Sequence, residues 1–178
     1  MDQTMPSPAA PDEPRDDCVV EPIADGDVAA VVALWARCGL IRPWNDPIAD
    51  IALARTSGHG GVLVARAGEA ILGAVMIGHD GHRGAVYYLG VDPDRRRAGL
   101  GRRLVAAAEA WCRARGVPKI NLLVRRENPA VLAFYEALGF RDTATVCLYK
   151  PLDPAVAERE AAQKAAWAAA IAPARDEV

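Results

Sequence analysis

Apolar residues follow two patterns along the chain, and together they predict alternating strands and helices. Short blocks rich in Val, Ile, Leu and Ala, bounded by Gly, Pro or Asp, predict strands at 18–23, 62–67, 70–77, 85–91, 119–124 and 145–149. Apolar residues at intervals of three and four predict helices at 27–38, 48–55, 100–111 and 129–138. The predicted fold class is α/β, with a mixed sheet flanked by helices.

The two ends of the chain differ in composition from the middle. Residues 1–17 are rich in Pro, Asp and Ala and are predicted to be disordered. Residues 18–152 carry the strand and helix patterns and form the predicted domain. Residues 153–178 are rich in Ala, Glu, Arg and Lys, which favours a helical C-terminal extension, and Trp167 is its one aromatic residue.

Composition narrows the classes of function. The chain has 178 residues, enough for one domain, and a formal net charge of −2, which disfavours general nucleic-acid binding. No apolar run reaches membrane-spanning length and no signal-peptide pattern is present, so a cytoplasmic protein is expected. The four cysteines have no metal-ligand spacing, so we expect reduced thiols and no metal.

An arginine- and glycine-rich loop, Arg96-Arg97-Ala98-Gly99-Leu100-Gly101, lies between the 85–91 strand and the 100–111 helix. The start of a helix has unpaired N–H groups and a positive dipole end, which favour phosphate. Glycine lets an anion approach the backbone, and the neighbouring arginines add positive charge. No Gly-Lys-Ser/Thr follows, and Leu104 stands where a dinucleotide fingerprint has its third glycine. The loop therefore predicts a diphosphate site of another kind.

The loop resembles the Arg/Gln-x-x-Gly-x-Gly/Ala signature of the GNAT superfamily of acyl-coenzyme A-dependent N-acyltransferases. A second segment, 128–140, resembles the Asn-x-x-Ala-x-x-Phe-Tyr-x-x-Leu-Gly-Phe signature of the same superfamily. Both occur in family order, and the resemblance covers about 19–152. Residues 34–38, 42–47, 50–51 and 80–91 also resemble a small bacterial branch of unassigned acceptor, similar to the ribosomal-protein N-terminal acetyltransferase type.

The resemblance implies a fold, a reaction and a set of site residues. It implies a mostly antiparallel sheet of six to seven strands whose fourth and fifth strands splay apart around the pantetheine arm. It implies acetyl-CoA as co-substrate, a backbone N–H of Leu89 or a neighbour that polarises the carbonyl, and Tyr135 as the acid facing the departing sulfur. The implied coenzyme-binding residues are Leu89, Gly90, Val91, Arg96, Arg97, Ala98, Gly99, Leu100, Gly101, Arg102, Asn128 and Tyr135.

The acceptor side of the reaction is left open by the sequence. The amine is a protein N-terminus, a lysine or a small amine, and Trp35 and Trp44 either shape its pocket or fill the core. A general base is not assigned. Two other classes of function remain: a non-catalytic acyl-CoA sensor, and an RNA- or protein-interaction module. The candidate bases are Tyr87, Tyr88, Glu21, Asp46 and His82.

Overall fold

The computed structural model describes residues 18–171. Its strands are β1 (Val19–Pro22), β2 (Gly60–Ala67), β3 (Ala70–His79), β4 (Gly84–Val91) and β5 (Ile120–Leu122). Its helices are α1 (Val28–Arg37), α2 (Pro47–Thr56), α3 (Leu100–Arg113), α4 (Pro129–Glu136) and α5 (Pro154–Ile171). Short 3₁₀ turns at Asp25–Asp27 and Pro93–Arg95 precede α1 and follow β4.

The strands form one mixed sheet in the order β1-β2-β3-β4-β5. The neighbouring strands from β1 through β4 are antiparallel to one another, and β5 lies parallel to β4. Helix α3 packs on one face of the sheet, while α1 and α2 pack on the other. Each face therefore has its own buried cluster: one contains Leu100, Leu104, Val75 and Ile77, and the other contains Leu34, Trp35, Ile51 and Val64.

Helix caps fix the elements that frame the site. The Asp46 carboxylate accepts hydrogen bonds from Ile48 N and Ala49 N, and Pro47 occupies the first turn of α2. Asn128 caps α4 in the same way, since its Oδ1 accepts from Val131 N at 3.3 Å. Asp or Asn at the cap, followed by proline at the first helical position, is typical of a helix start.

The predicted sixth strand is wrong. Within residues 18–171 the sheet has five strands, and 145–149 is not one of them. Val146 and Leu148 are 83% and 90% exposed, so their side chains do not pack against the sheet. The β5 edge of the sheet offers few backbone groups to a further strand, because β5 is only three residues long.

The terminal predictions have different outcomes. The predicted disorder of 1–17 and the last residues of the extension, 172–178, lie outside the described residues. The remainder of the extension is helical, as α5 shows. Across 18–171, no helix has both the length and the hydropathy needed to cross a membrane.

Candidate active site

A cleft opens where β4 and β5 part. The two strands are paired only from Gly84↔Ile120 to Val86↔Leu122, whereas β4 continues to Val91. The cleft has a volume of about 340 Å³. Its walls are formed by β4, by the chain after β5, by α4 and by the loop after α1; they include Tyr87, Tyr88, Leu89, Leu123, Arg125, Asn128, Tyr135, Leu40 and Arg42. The splayed strands expected from the family resemblance are therefore present.

A bulge in β4 shapes one wall of this cleft. The register with β3 shifts between Met76↔Tyr87 and Ala74↔Gly90, which leaves Tyr88 and Leu89 without ladder partners. Tyr88 has a φ of +51°, a left-handed conformation that is uncommon for a bulky residue. Strict alternation along a strand would place only one of Tyr87 and Tyr88 in the cleft, but both line it because the bulge interrupts that alternation.

The arginine- and glycine-rich loop lies at the end of β4 and leads into α3. Arg97 and Gly99 both have left-handed backbones, with φ of +66° and +81°. Arg103 N donates to Gly99 O, whereas no backbone acceptor within residues 18–171 is recorded for the N–H groups of Leu100, Gly101 and Arg102. Successive free N–H groups at a turn and a helix start form an anion-binding concavity.

Contacts from α1 hold this loop against β4. Arg37 forms a 2.9 Å ion pair with Asp92, and the Cys38 thiol donates to Val91 O at 3.2 Å. A hydrogen bond from Asp94 N, together with Arg37, keeps the pKa of Asp92 below its ordinary value. Burial raises the pKa of the Cys38 thiol even though the Arg96 guanidinium lies beside it. The first arginine of the loop is thus placed next to the C-terminal end of α1.

Tyr135 lies on the opposite wall of the cleft. It is 8% exposed, and its ring makes edge contacts with Phe134 and Phe140. Its hydroxyl has no hydrogen-bond partner within the described part of the chain. Burial raises the pKa of Tyr135 to about 12, so the phenol is protonated at neutral pH.

Phe134, which precedes Tyr135 in the chain, lies close to Gly101 of the loop. A Cβ on Gly101 would lie 3.3 Å from Cζ of Phe134, whereas a Cβ on Gly99 would meet nothing within 4 Å. A side chain at 101 would therefore press against Phe134 of α4, whereas Gly99 lies at the open side of the loop.

On the side of the cleft that faces α1 and α2, Tyr88 is held by two side-chain hydrogen bonds. The Tyr88 hydroxyl donates to Asp50 Oδ2 at 2.9 Å and accepts from Asn45 Nδ2 at 3.1 Å. Its ring stacks on Trp35, with centroids 4.6 Å apart. Burial, and then the hydrogen bond to Asp50, raise the pKa of Tyr88 to about 12. A neutral phenol is thereby held at the cleft wall beside Leu89.

Comparison with known proteins identifies the fold and the family. A profile described as the acetyltransferase (GNAT) family matches residues 25–140. The chain belongs to this acetyltransferase family. An acetyltransferase of Pectobacterium atrosepticum is 46% identical over 126 residues, covering 71% of this chain and 89% of that protein. An uncharacterized N-acetyltransferase of Yersinia pestis is 44% identical, with the same coverage.

Solved structures of low sequence identity share the GNAT fold. An aminoglycoside N-acetyltransferase in complex with CoA has a TM-score of 0.68 at 18% identity, covering 82% of this chain and all of that one. A transcriptional regulator from Bacillus halodurans has a TM-score of 0.66 at 21% identity, covering 76% and 99%. These likenesses establish the fold of this GNAT protein.

The structure brings some of the sequence-predicted residues together and separates others. Tyr135, Asn128 and Leu89 share the cleft, and the loop from Arg96 to Arg102 follows the end of β4. Trp35 is fully buried, so it belongs to the core, although its ring supports Tyr88. Trp44 is half-buried in the loop between α1 and α2.

Of the five candidate bases, three lie outside the cleft or are engaged elsewhere. Glu21 pairs with Arg66 at 2.7 Å on the β1–β2 side, and His82 lies in the turn between β3 and β4. The Asp46 carboxylate caps α2. Tyr87 and Tyr88 remain at the cleft.

Two residues of this region were missed in the sequence. Asp50 reads as an ordinary polar position in the first turn of α2, and Asn45 reads as a turn residue. Both lie in the segments 42–47 and 50–51 that carry the branch resemblance, but their relation to Tyr88 depends on packing of α2 against the sheet.

Proposed function

We propose that this GNAT protein transfers an acetyl group from acetyl-CoA to a primary amine, by direct attack in a ternary complex. The observation that carries the proposal is the cleft between β4 and β5, which has the arginine-rich loop at the end of one wall and the Tyr135 hydroxyl on the other. Such a cleft suits a long, narrow ligand with a charged end.

The residues present fit coenzyme A. The free N–H groups at the start of α3 and the side chains of Arg96, Arg97 and Arg102 would hold its diphosphate. Leu89, Gly90 and Val91 offer the β4 backbone to the pantetheine arm where β5 has moved away. The Oδ1 atom of Asn128 is used by its helix cap, which leaves the amide nitrogen to donate to the arm.

Bound acetyl-CoA supplies an acetyl thioester, whose C–S bond breaks as the amine nitrogen bonds to the acetyl carbon. The backbone N–H of Leu89 or of a neighbour, freed from the ladder by the bulge, would donate to the carbonyl oxygen as negative charge develops there. Tyr135 would donate its phenolic proton to the departing sulfur and recover it from water. The surplus proton of the amine leaves to water.

Tyr88 would orient the acceptor. Its hydrogen is directed to Asp50 and one oxygen lone pair to Asn45, so a second lone pair can accept a hydrogen bond from the amine. Burial and the hydrogen bond to Asp50 keep Tyr88 neutral, and its two hydrogen bonds fix the rotation of the hydroxyl. Tyr88 and Asp50 therefore act as positioning residues, and the acceptor is a protein N-terminus, a lysine or a small amine.

The test has two stages. Calorimetric titration with acetyl-CoA and longer acyl-CoAs should show micromolar binding that weakens with acyl length. Free-thiol release with a panel of peptides, lysine derivatives and small amines should then show acetyl-CoA consumption that depends on the amine. Absence of acyl-CoA binding would overturn the cleft assignment, and binding without amine-dependent thiol release would favour a sensor.

A further inference from the structure

Helix α5 packs against the loop between α1 and α2, residues 38–46, hereafter the acceptor loop. Trp167 meets Trp44 edge-to-face with ring centroids 5.8 Å apart, and the Arg42 guanidinium lies 5.4 Å from the centre of the Trp167 ring. Lys164 lies 5.6 Å from the centre of the Trp44 ring. The family profile ends at residue 140, so this contact is an addition to the matched domain.

The acceptor loop also belongs to the cleft. Arg42 lines the cleft on one side of this loop and contacts Trp167 on the other. Asn45 donates to the Tyr88 hydroxyl. The position of α5 is therefore linked, through two residues of one short loop, to the wall of the cleft that would receive the amine.

A second pocket lies between the acceptor loop and α5. Its volume is about 380 Å³, and it is lined by Pro43, Trp44, Asn45, Asp46, Pro47 and Arg159. Asn45 separates this pocket from Tyr88, since it lines the pocket and bonds to the Tyr88 hydroxyl. The second pocket and the Tyr88 hydroxyl thus lie on either side of a single residue.

Across residues 18–171, some charged side chains around the second pocket already have hydrogen-bond or ion-pair partners, and others do not. The Asp46 carboxylate accepts two backbone hydrogen bonds of α2, and Glu160 pairs with Lys164 at 2.6 Å. Arg159 has no hydrogen bond or ion pair with any residue that the structure describes. The uncommitted charge at this pocket is thus a guanidinium, which favours a carboxylate or a phosphate.

We propose that α5 completes the acceptor site, and that Arg159 selects amine acceptors that carry an anionic group beyond the reacting amine. The inference rests on the proposed acetyl transfer, because that reaction places the amine at Tyr88. It assigns the C-terminal extension to substrate selection.

The test compares two peptides with free N-termini, Ala-Glu-Glu-Ala-amide and Ala-Gln-Gln-Ala-amide. Affinity is measured by calorimetry in saturating CoA, so the result does not depend on turnover. The wild-type protein should prefer the acidic peptide by about five-fold, the ratio expected of an exposed ion pair. In Arg159→Glu the ratio should fall to about one or below, since the attraction becomes repulsion. Glu158→Gln, an exposed change at the adjacent position, should keep the wild-type ratio.

Three results would overturn the inference: equal affinity of the wild-type protein for both peptides, binding of neither, or a preference that Arg159→Glu leaves intact. Failure of the proposed function has a separate signature. A protein that releases no thiol with any amine fails as an acetyltransferase whatever its peptide preference, whereas thiol release without an Arg159-dependent preference removes only the role of α5.

Discussion

The two halves of the site are built in different ways. The donor half uses contiguous chain: the β4 bulge, the loop at 96–101 and the start of α3 follow one another within residues 87–102, and they offer mainly backbone N–H groups. The acceptor half gathers side chains from distant positions, such as Asp50 with Tyr88 and Trp44 with Trp167. Backbone conformation should therefore control coenzyme binding, and side-chain contacts should control the choice of amine.

Gly99→Glu should have the largest effect, and that effect should fall on coenzyme binding, the function of the donor half. The new carboxylate would enter the open side of the loop and repel the diphosphate, at a cost of several kcal/mol, so acetyl-CoA binding should weaken by more than about 100-fold. Calorimetric titration with acetyl-CoA measures the change.

Gly68→Glu is the matched control. Gly68 also has a left-handed backbone, with φ of +57°, and open space around its Cβ position, but it lies in the turn between β2 and β3. Both variants place Glu at a left-handed backbone position, so the control should lose stability and keep acetyl-CoA affinity. Unchanged binding in Gly99→Glu would remove the loop from the coenzyme site.

Tyr135→Phe should have the next largest effect. It removes the proton donor but keeps the ring packing against Phe134 and Phe140, so kcat should fall about 100-fold while acetyl-CoA affinity changes little. Steady-state thiol release and calorimetry separate the two quantities. Tyr149→Phe removes an exposed hydroxyl that bonds to Glu160 and should leave kcat unchanged. Equal rates for wild type and Tyr135→Phe would exclude the acid role.

The same contrast explains how much could be predicted from the sequence. The residues proposed for the donor half could be named from the sequence because the loop at 96–101 and the α4 signature are local patterns. The structure places three of them, Tyr135, Asn128 and Leu89, in one cleft. The Tyr88 bulge was missed, since a strand of alternating residues gives no sign of a register shift set by β3. The 145–149 segment was predicted as a strand from its short apolar block, but strand formation also requires a partner edge.

Trp167→Ala tests the link between α5 and the acceptor loop. Loss of the ring removes its contacts with Trp44 and Arg42, so the KM for the amine should rise about ten-fold, as for truncation of an aromatic anchor, with acetyl-CoA affinity unchanged. Trp167→Phe keeps an aromatic contact and should restore most of the affinity for the amine. A change in acetyl-CoA affinity with an unchanged KM for the amine would contradict the division into two halves.

The smallest expected effect is that of Asp50→Asn. The amide leaves the rotation of the Tyr88 hydroxyl less constrained, so the KM for the amine should rise about five-fold, as for loss of one charge-assisted hydrogen bond, while acetyl-CoA affinity stays constant. The hydrogen bond to Asp50 is also one cause of the raised pKa of Tyr88, so this tyrosine should titrate at a lower pH in the variant. Phenolate absorbance from pH 9 to 13 measures the titration, and Tyr88→Phe identifies the signal.

The raised pKa of Tyr88 also determines how the stability of the protein changes with pH. Tyr88 has a pKa of about 12 in the folded protein against an ordinary value of 10.0, so its neutral form stabilises the fold fully below about pH 10. That contribution is lost as the pH rises from about 10 to 12. In Asp50→Asn the loss should begin at the same pH but be smaller and end at a lower pH, because the folded-state pKa is lower while the unfolded-state pKa is unchanged. Thermal melting between pH 9 and 12 should therefore show a shallower decline for Asp50→Asn than for wild type. Superimposable declines, with an unchanged KM for the amine, would mean that the Asp50 contact does not position Tyr88.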